Sequence, residues 1–225
     1  MSKTELTGRD RLISHFNPKS PIAEAYRQLR TNIQFSSLDN PVRTLLVTST
    51  GPEEGKTTTL ANLAVTIAQT GSLVTLVDCD LRKPSLHDLF GLSAEPGLTS
   101  VLLGSDQIPY QECGIENFRI LAAGPLPPNP SEMLGSRRMA DVIVRLKGEA
   151  DFVLFDTPPV VIVTDAAVLS TRVDGALLVV SAGKTRRELA QRAKNLLEKV
   201  NAPLLGVVLN NVKYEPTIHH YYGKK

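Results

Sequence analysis

Leu45-Leu46-Val47-Thr48-Ser49-Thr50-Gly51-Pro52-Glu53-Glu54-Gly55-Lys56-Thr57-Thr58-Thr59 is an apolar run that feeds a Gly/Pro turn and ends in Gly-Lys-Thr. A strand that delivers such a turn to the start of a helix aims backbone N–H groups at an anion, and the helix dipole adds to the attraction. The stretch is therefore expected to be a phosphate-binding loop in which Gly51, Glu53, Glu54, Gly55, Lys56, Thr57 and Thr58 surround phosphate groups. Lys56 would reach the outer phosphates, and the Thr57 hydroxyl would take a Mg²⁺ position. The usual G-x-x-x-x-G-K-[ST] spacing wants glycine at position 50, where this chain has Thr50, and Gly51 comes one residue late. A C-cap glycine followed by a surface lysine gives the same tripeptide, so the flanking sequence decides.

Downstream, Leu60, Leu63, Ala64, Ile67 and Ala68 recur at helical spacing until Gly71. Residues 73–78 are then nearly all apolar, as in a parallel strand buried on both faces. Similar runs follow at 118–121, 151–156, 175–180 and 204–209, separated by helical patterns at 131–146, 164–170 and 186–200. This alternation predicts an α/β fold: a doubly wound, mostly parallel sheet with helices on both faces, of the P-loop NTPase type. Ligands of such sheets bind at the carboxyl ends of the strands.

Upstream, residues 1–19 are polar, carry Gly8 and Pro18 and show no sustained period, so a flexible arm is expected. A helix over residues 20–38 follows, with Ser20 as N-cap and Pro21 at its first position. Ile22, Tyr26, Leu29 and Ile33 give it an apolar face. Glu24, Arg27 and Arg30 run beside that face at three-residue spacing. Spacing alone leaves two readings open, ion pairs within the helix or a strip that meets a second subunit.

A chain of 225 residues with 42% hydrophobic content has room for one sizeable domain, expected over residues 20–210, with a short tail at 211–225. The formal net charge of +2 does not call for nucleic acid. Two cysteines, Cys79 and Cys113, are too few for a disulfide framework and lack metal-ligand spacing, which suits a reducing cytosol. The absence of a span-length apolar run or signal-like start predicts a soluble, cytoplasmic chain.

The strand-end rule picks out three acids. Asp78 and Asp80, two residues apart, project to the same side while the chain stays extended, where they could hold Mg²⁺ and accept a proton. Asp156 closes the run Phe152-Val153-Leu154-Phe155 in the form of a Walker B acid. A lone aspartate at such a place is commonly a cap or turn residue. Three behind one Gly-Lys-Thr loop point to a phosphate and metal site.

Leu76-Val77-Asp78-Cys79-Asp80-Leu81-Arg82-Lys83-Pro84 with His87, and Gly124-Pro125-Leu126-Pro127-Pro128-Asn129-Pro130-Ser131-Glu132-Met133-Leu134, resemble the signatures of bacterial tyrosine kinases of the capsule and exopolysaccharide type. The resemblance runs from about Ser20 to the C-terminus. Related ATPases of the cell-division and plasmid-partition type share the loop and acids but lack the Pro-Pro-Asn-Pro element. The resemblance implies that Lys56 and Thr57 bind ATP and Mg²⁺, that Asp78 and Asp156 lie near the metal, and that Asp80 with Asp78 activates a tyrosine hydroxyl. It places Glu24, Arg27 and Arg30 in a subunit contact of a ring-shaped homo-oligomer, and Asn210 at the adenine. It further implies a membrane-embedded activator of the polysaccharide chain-length regulator type, action at the inner face of the cell membrane, and reversal by a tyrosine phosphatase. Glu53 departs from the glycine usual there, which would weaken phosphate binding unless its side chain points outward.

Tyr214, Tyr221 and Tyr222 fall in the last 12 residues, beside Pro216 and Gly223 and without core periodicity. Structural tyrosines are normally half buried with the hydroxyl bonded, so these three are expected to be phosphate acceptors. Two alternatives stand beside the kinase: a nucleotide-switched positioning ATPase, and an adaptor that binds nucleotide weakly because of Glu53.

Overall fold

The structure is a computed structural model and describes residues 11–36 and 40–213. Six strands, β1 (Thr44–Ser49), β2 (Val74–Asp78), β3 (Phe118–Leu121), β4 (Phe152–Asp156), β5 (Gly175–Ser181) and β6 (Leu204–Asn210), form one sheet in the order β3-β2-β4-β1-β5-β6. Every pairing is parallel. The continuous apolar runs produce this because a strand covered on both faces has no polar side to show; β1, β2 and β5 are buried at every residue.

Nine described helices connect and cover the strands: α1 (Ile13–Phe16), α2 (Pro21–Ser36), α3 (Lys56–Ala68), α4 (Leu86–Phe90), α5 (Leu98–Leu103), α6 (Pro130–Gly135), α7 (Arg137–Glu149), α8 (Asp165–Ser170) and α9 (Arg187–Lys199). Side chains alternate across the sheet into two cores. Leu45 and Val47 meet Leu60, Leu63 and Ala64 of α3 on one face. Leu46 and Leu178 share the other with Met139 and Leu146 of α7 and Leu197 of α9. The sheet is thus doubly wound as expected. Among the described residues, no helix is long and apolar enough to cross a membrane.

Three expectations about helices need correction. The arm was expected to run unpacked to residue 19, but Leu12 is buried and Ser14 is pinned on α3: its N–H donates to Asn62 Oδ1 at 2.9 Å, and its carbonyl accepts from Gln69 Nε2 at 2.9 Å. One buried leucine in a polar stretch leaves no period to detect; residues 1–10 lie outside the described residues. On α2, Ser20 caps as expected, its Oγ accepting from Ala23 N at 3.1 Å. The buried positions, however, are Ala23 and Ile33, with Tyr26 and Leu29 half-buried and Ile22 in solvent, because Ala23 takes the close-packed place in the first turn. The helix expected over 131–146 is two helices broken at Ser136. That residue is extended (φ −69°, ψ 159°) and its Oγ caps α7 by accepting from Met139 N, while the Arg172 guanidinium takes the carbonyls of Gly135 and Ser136.

Candidate active site

The sheet order sets the site. β1 lies between β4 and β5, and Val47 registers with Asp156, which registers in turn with Asp78 at the end of β2. The loop leaving β1 therefore opens onto both strand-end acids. Gly55 turns the chain into α3 at φ 91°, a conformation that favours glycine, and a Cβ there would stand 2.0 Å from Asn210 Nδ2.

Asn210 packs this closely because its Nδ2 donates to the Glu54 carbonyl at 2.9 Å. It braces the phosphate loop from the end of β6.

Glu54 was expected only as one of the residues around the phosphates; its side chain turns into the loop itself. It is buried, and Oε2 accepts from the N–H groups of Thr50 (2.8 Å) and Gly51 (3.0 Å). Oε1 accepts from the hydroxyls of Thr50 (2.6 Å) and Thr185 (2.5 Å). The Gly51 N–H is thereby held inside the loop, so the groups left for an anion are those from Glu53 onward. Thr185 also accepts from Ser181 N at 2.8 Å, which joins the turn after β5 to the loop. Glu53 itself sits at φ 58° with its side chain 89% exposed, 3.7 Å from Lys184 Nζ. The outward direction removes the repulsion that an acid in the loop would otherwise exert on phosphate.

Lys56 is the centre of the cluster. Its ammonium lies 3.1 Å from Asp80 Oδ2, 3.2 Å from Asp156 Oδ1 and 3.1 Å from Thr57 Oγ1. Thr57 Oγ1 donates to Asp156 Oδ2 at 2.6 Å. Burial works against the Lys56 charge, but Asp156 and Asp80 together outweigh it and hold its pKa above the ordinary value. Burial raises the pKa of Asp156, with Lys56 pulling the other way.

Asp78 is fully buried. Oδ1 accepts from Asp80 N at 3.1 Å, and Oδ2 from Ser85 N and Leu86 N, each at 3.0 Å. Burial first and the Asp156 charge second push its pKa up to about 7. These three backbone donors use most of the acceptor capacity of Asp78, which fixes the loop that carries Asp80 and the start of α4. Asp80 is then oriented on its other oxygen by Lys83 N, at 3.0 Å.

A hard cation takes oxygen ligands, and Mg²⁺ commonly takes only one or two carboxylates and completes its shell with phosphate and water. Thr57 Oγ1 and Asp156, adjacent and beside the loop, fit that donor set. Asp78 fits it less well, since its oxygens are already bonded.

Sequence reasoning missed a second group. Arg82 makes a two-point pair with buried Asp165, Nε to Oδ2 at 2.9 Å and Nη2 to Oδ1 at 3.0 Å. The Ser131 hydroxyl also donates to Asp165. The Asp80 loop is thus tied to α6, where the Pro-Pro-Asn-Pro element begins its helix. An Arg and an Asp 83 positions apart carry no sequence signal of pairing; only the basic residue after Asp80 hinted at a partner.

Glu24, Arg27 and Arg30 do not act as one strip within the chain. Glu24 and Arg27 pair with each other at 2.6 Å, while Arg30 turns inward and donates to the Thr66 carbonyl of α3. Tyr214, Tyr221 and Tyr222 lie outside the described residues.

The family model described as "ParA: NUBPL iron-transfer P-loop NTPase" matches residues 41–220. The chain is 43% identical over 217 residues to tyrosine-protein kinase YwqD of Bacillus subtilis, covering 95% of this chain and 92% of that one. To the putative tyrosine-protein kinase CapB of Staphylococcus aureus it is 40% identical over 215 residues, covering 94% and 93%. Among solved structures, the chimerical protein CapA2B2 superposes with a TM-score of 0.87 at 41% identity, covering 91% of each chain.

Proposed function

The chain belongs to the bacterial tyrosine kinases, within the ParA-type P-loop NTPases, and from that premise we propose that it transfers the γ-phosphoryl group of ATP to Tyr214, Tyr221 and Tyr222 on the tail of a neighbouring copy. The observation that carries this is the convergence of Asp80, Asp156 and Thr57 on the Lys56 ammonium at the mouth of the loop, each with an oxygen within 3.2 Å of Nζ. Phosphoryl transfer through a loose transition state is mostly positioning and charge neutralisation. The N–H groups from Glu53 to Thr58 cradle the phosphates, and Lys56 spans the gap between them and the acids. Bound Mg²⁺, held by Thr57 and Asp156, supplies further neutralisation of the phosphate oxygens. Asp80 accepts the phenolic proton, held in place by Lys83 N–H on one oxygen and Lys56 on the other. Asp78 positions this loop. Asn210, whose amide N–H is taken by the loop, keeps its Oδ1 for the adenine amino group.

Transfer between copies needs the copies held close, which a ring provides as a high effective concentration. Glu24 is exposed and Arg27 partly so, and the two would exchange their pairing within the helix for one across the interface. Arg30 contributes by fixing α2 on α3. The name of the solved chimera, CapA2B2, supports a second protein as partner. We place that partner in the membrane, as an activator of the polysaccharide chain-length regulator type that brings this chain to the inner face of the cell membrane. The cycle of phosphorylation, closed by a tyrosine phosphatase, then governs capsule or exopolysaccharide synthesis and export. The cycle does not require nucleic acid.

The test mixes two full-length variants with Mg²⁺-ATP. One carries Tyr214→Phe, Tyr221→Phe and Tyr222→Phe and keeps its site; the other carries Lys56→Met and keeps its tail. Phosphotyrosine on the Lys56→Met chain is expected only in the mixture. Its absence there, with wild type active alone, would replace transfer between copies by transfer within one.

A further inference from the structure

One face of α9 carries a row of cations with no described partner. Arg187, Gln191, Arg192, Asn195 and Lys199 line a shallow hollow on the side opposite the buried Ala193 and Leu197. Among the described residues, the only acid lining the hollow is Glu188. No ion pair engages Arg187, Arg192 or Lys199 among the described residues, whereas the neighbouring Lys194 is paired with Glu198 at 3.1 Å. Next to α9, the edge strand β6 leaves Val207 and Leu209 more than half exposed. They register with Leu178 and Val180 of β5, which share a core with Ala193 and Leu197, so they open on the same side of the sheet as α9.

The end of the described chain meets this surface. Ala182 N donates to the Asn210 carbonyl at 2.8 Å and Asn211 Nδ2 to Ser181 Oγ at 2.9 Å, so the chain leaves β6 beside the turn that starts α9. Twelve residues, 214–225, follow Lys213. From Lys213 to Tyr221 an extended chain reaches roughly 26 Å, and α9 is about 20 Å long at 1.5 Å per residue. Every cation of the row is within reach.

Charge decides when this reach is used. The tail holds one acid, Glu215, against Lys224 and Lys225, so before modification it has no attraction to a basic helix. A phosphate on each of Tyr214, Tyr221 and Tyr222 adds roughly two negative charges and three acceptor oxygens apiece. Arginine recognises phosphate by two-point bonds, and lysine as a point charge. Ile218 and the tyrosine rings have the apolar surface that Val207 and Leu209 lack a cover for.

We propose that the phosphorylated tail docks on the outer face of its own α9, with phosphotyrosines on Arg187, Arg192 and Lys199 and apolar side chains over Val207 and Leu209. Phosphorylation then gives the tail a place within its own subunit that holds it away from a neighbour's site. This deepens the proposed function and rests on it for the source of the phosphates.

A synthetic, fluorescently labelled peptide of residues 213–225 with phosphate on all three tyrosines makes the test independent of that source. It is titrated into full-length Lys56→Met protein, and fluorescence anisotropy is read at low and at moderate salt. The phosphopeptide is expected to bind at least tenfold more tightly than the unphosphorylated peptide, and more weakly as salt rises. The added substitutions Arg187→Ala, Arg192→Ala and Lys199→Ala, all at exposed positions, should weaken it at least tenfold with the melting temperature unchanged. Equal binding of both peptides, or undiminished binding to the triple variant, would overturn the proposal; the latter would move the phosphopeptide to the catalytic site. A chain that fails to phosphorylate itself yet binds the peptide as stated would overturn only the kinase reading.

Discussion

Replacing Glu54 tests how the phosphate loop is built. Its carboxylate joins the N–H groups of Thr50 and Gly51 to the hydroxyls of Thr50 and Thr185, all four within 3.0 Å. In Glu54→Ala the two hydroxyls can turn to other acceptors, but the two N–H groups are fixed. Each orphaned donor costs about 1–3 kcal/mol, so the total loss is about 3–5 kcal/mol once the small void is included. In Glu54→Gln the amide oxygen keeps both N–H groups and the amide nitrogen donates to the hydroxyls. What is lost is the charge assistance, roughly half of each bond, or about 1–2 kcal/mol. For a chain of this size, 1 kcal/mol moves Tm by about 2–4 °C. Urea unfolding with unchanged m-values, paired with nucleotide titration, should rank wild type above Gln and Gln well above Ala in both stability and affinity. An alanine variant within about 1 kcal/mol of wild type, or a glutamine variant as damaged as alanine, would refute a carboxylate that shapes the loop from inside.

Lys56→Met should abolish tail phosphorylation and make folding more sensitive to alkali. Without the ammonium the folded-state pKa of Asp156 rises further above its unfolded value, so stability falls as pH rises. The penalty at pH 8 should exceed that at pH 5.5 by about 1 kcal/mol or more, and an equal penalty would remove Lys56 from the Asp156 pair. Asp78 has a folded pKa of about 7, so wild type should lose stability between pH 5 and pH 8; Asp78→Asn should flatten that slope, and parallel urea midpoints for the two proteins would contradict the buried charge. Asp80→Asn should lower kcat at least tenfold with little change in nucleotide affinity, since a transition-state contact shows in kcat. A change confined to nucleotide affinity would make Asp80 part of the phosphate site instead.

Much of this was legible because the chain writes buried parallel strands as continuous apolar runs. Residues 73–78 and 151–156 were located to within one residue at each end, and with them Asp78 and Asp156, since a strand's end is where its acid stands. The bracing role of Glu54 was not legible, because proximity to Gly-Lys-Thr says a residue is in the loop, not which way it faces. Its partner Thr185 comes 131 positions later. Arg82 and Asp165 were missed for the same reason. Ser136 broke a helix that apolar periodicity carried straight through, because the break is enforced by Arg172 from α8's end of the chain. Leu12 was invisible because Leu12, Ile13 and Phe16 show no sustained period and only the first of the three is buried.

The central claim is that this cluster moves phosphate to tyrosine and not to water. Purified full-length protein incubated with Mg²⁺-ATP, digested and mapped by mass spectrometry tests it most directly. Phosphate should appear on Tyr214, Tyr221 and Tyr222, and on none of them in the Lys56→Met variant. Release of inorganic phosphate with those three tyrosines unmodified would contradict the account.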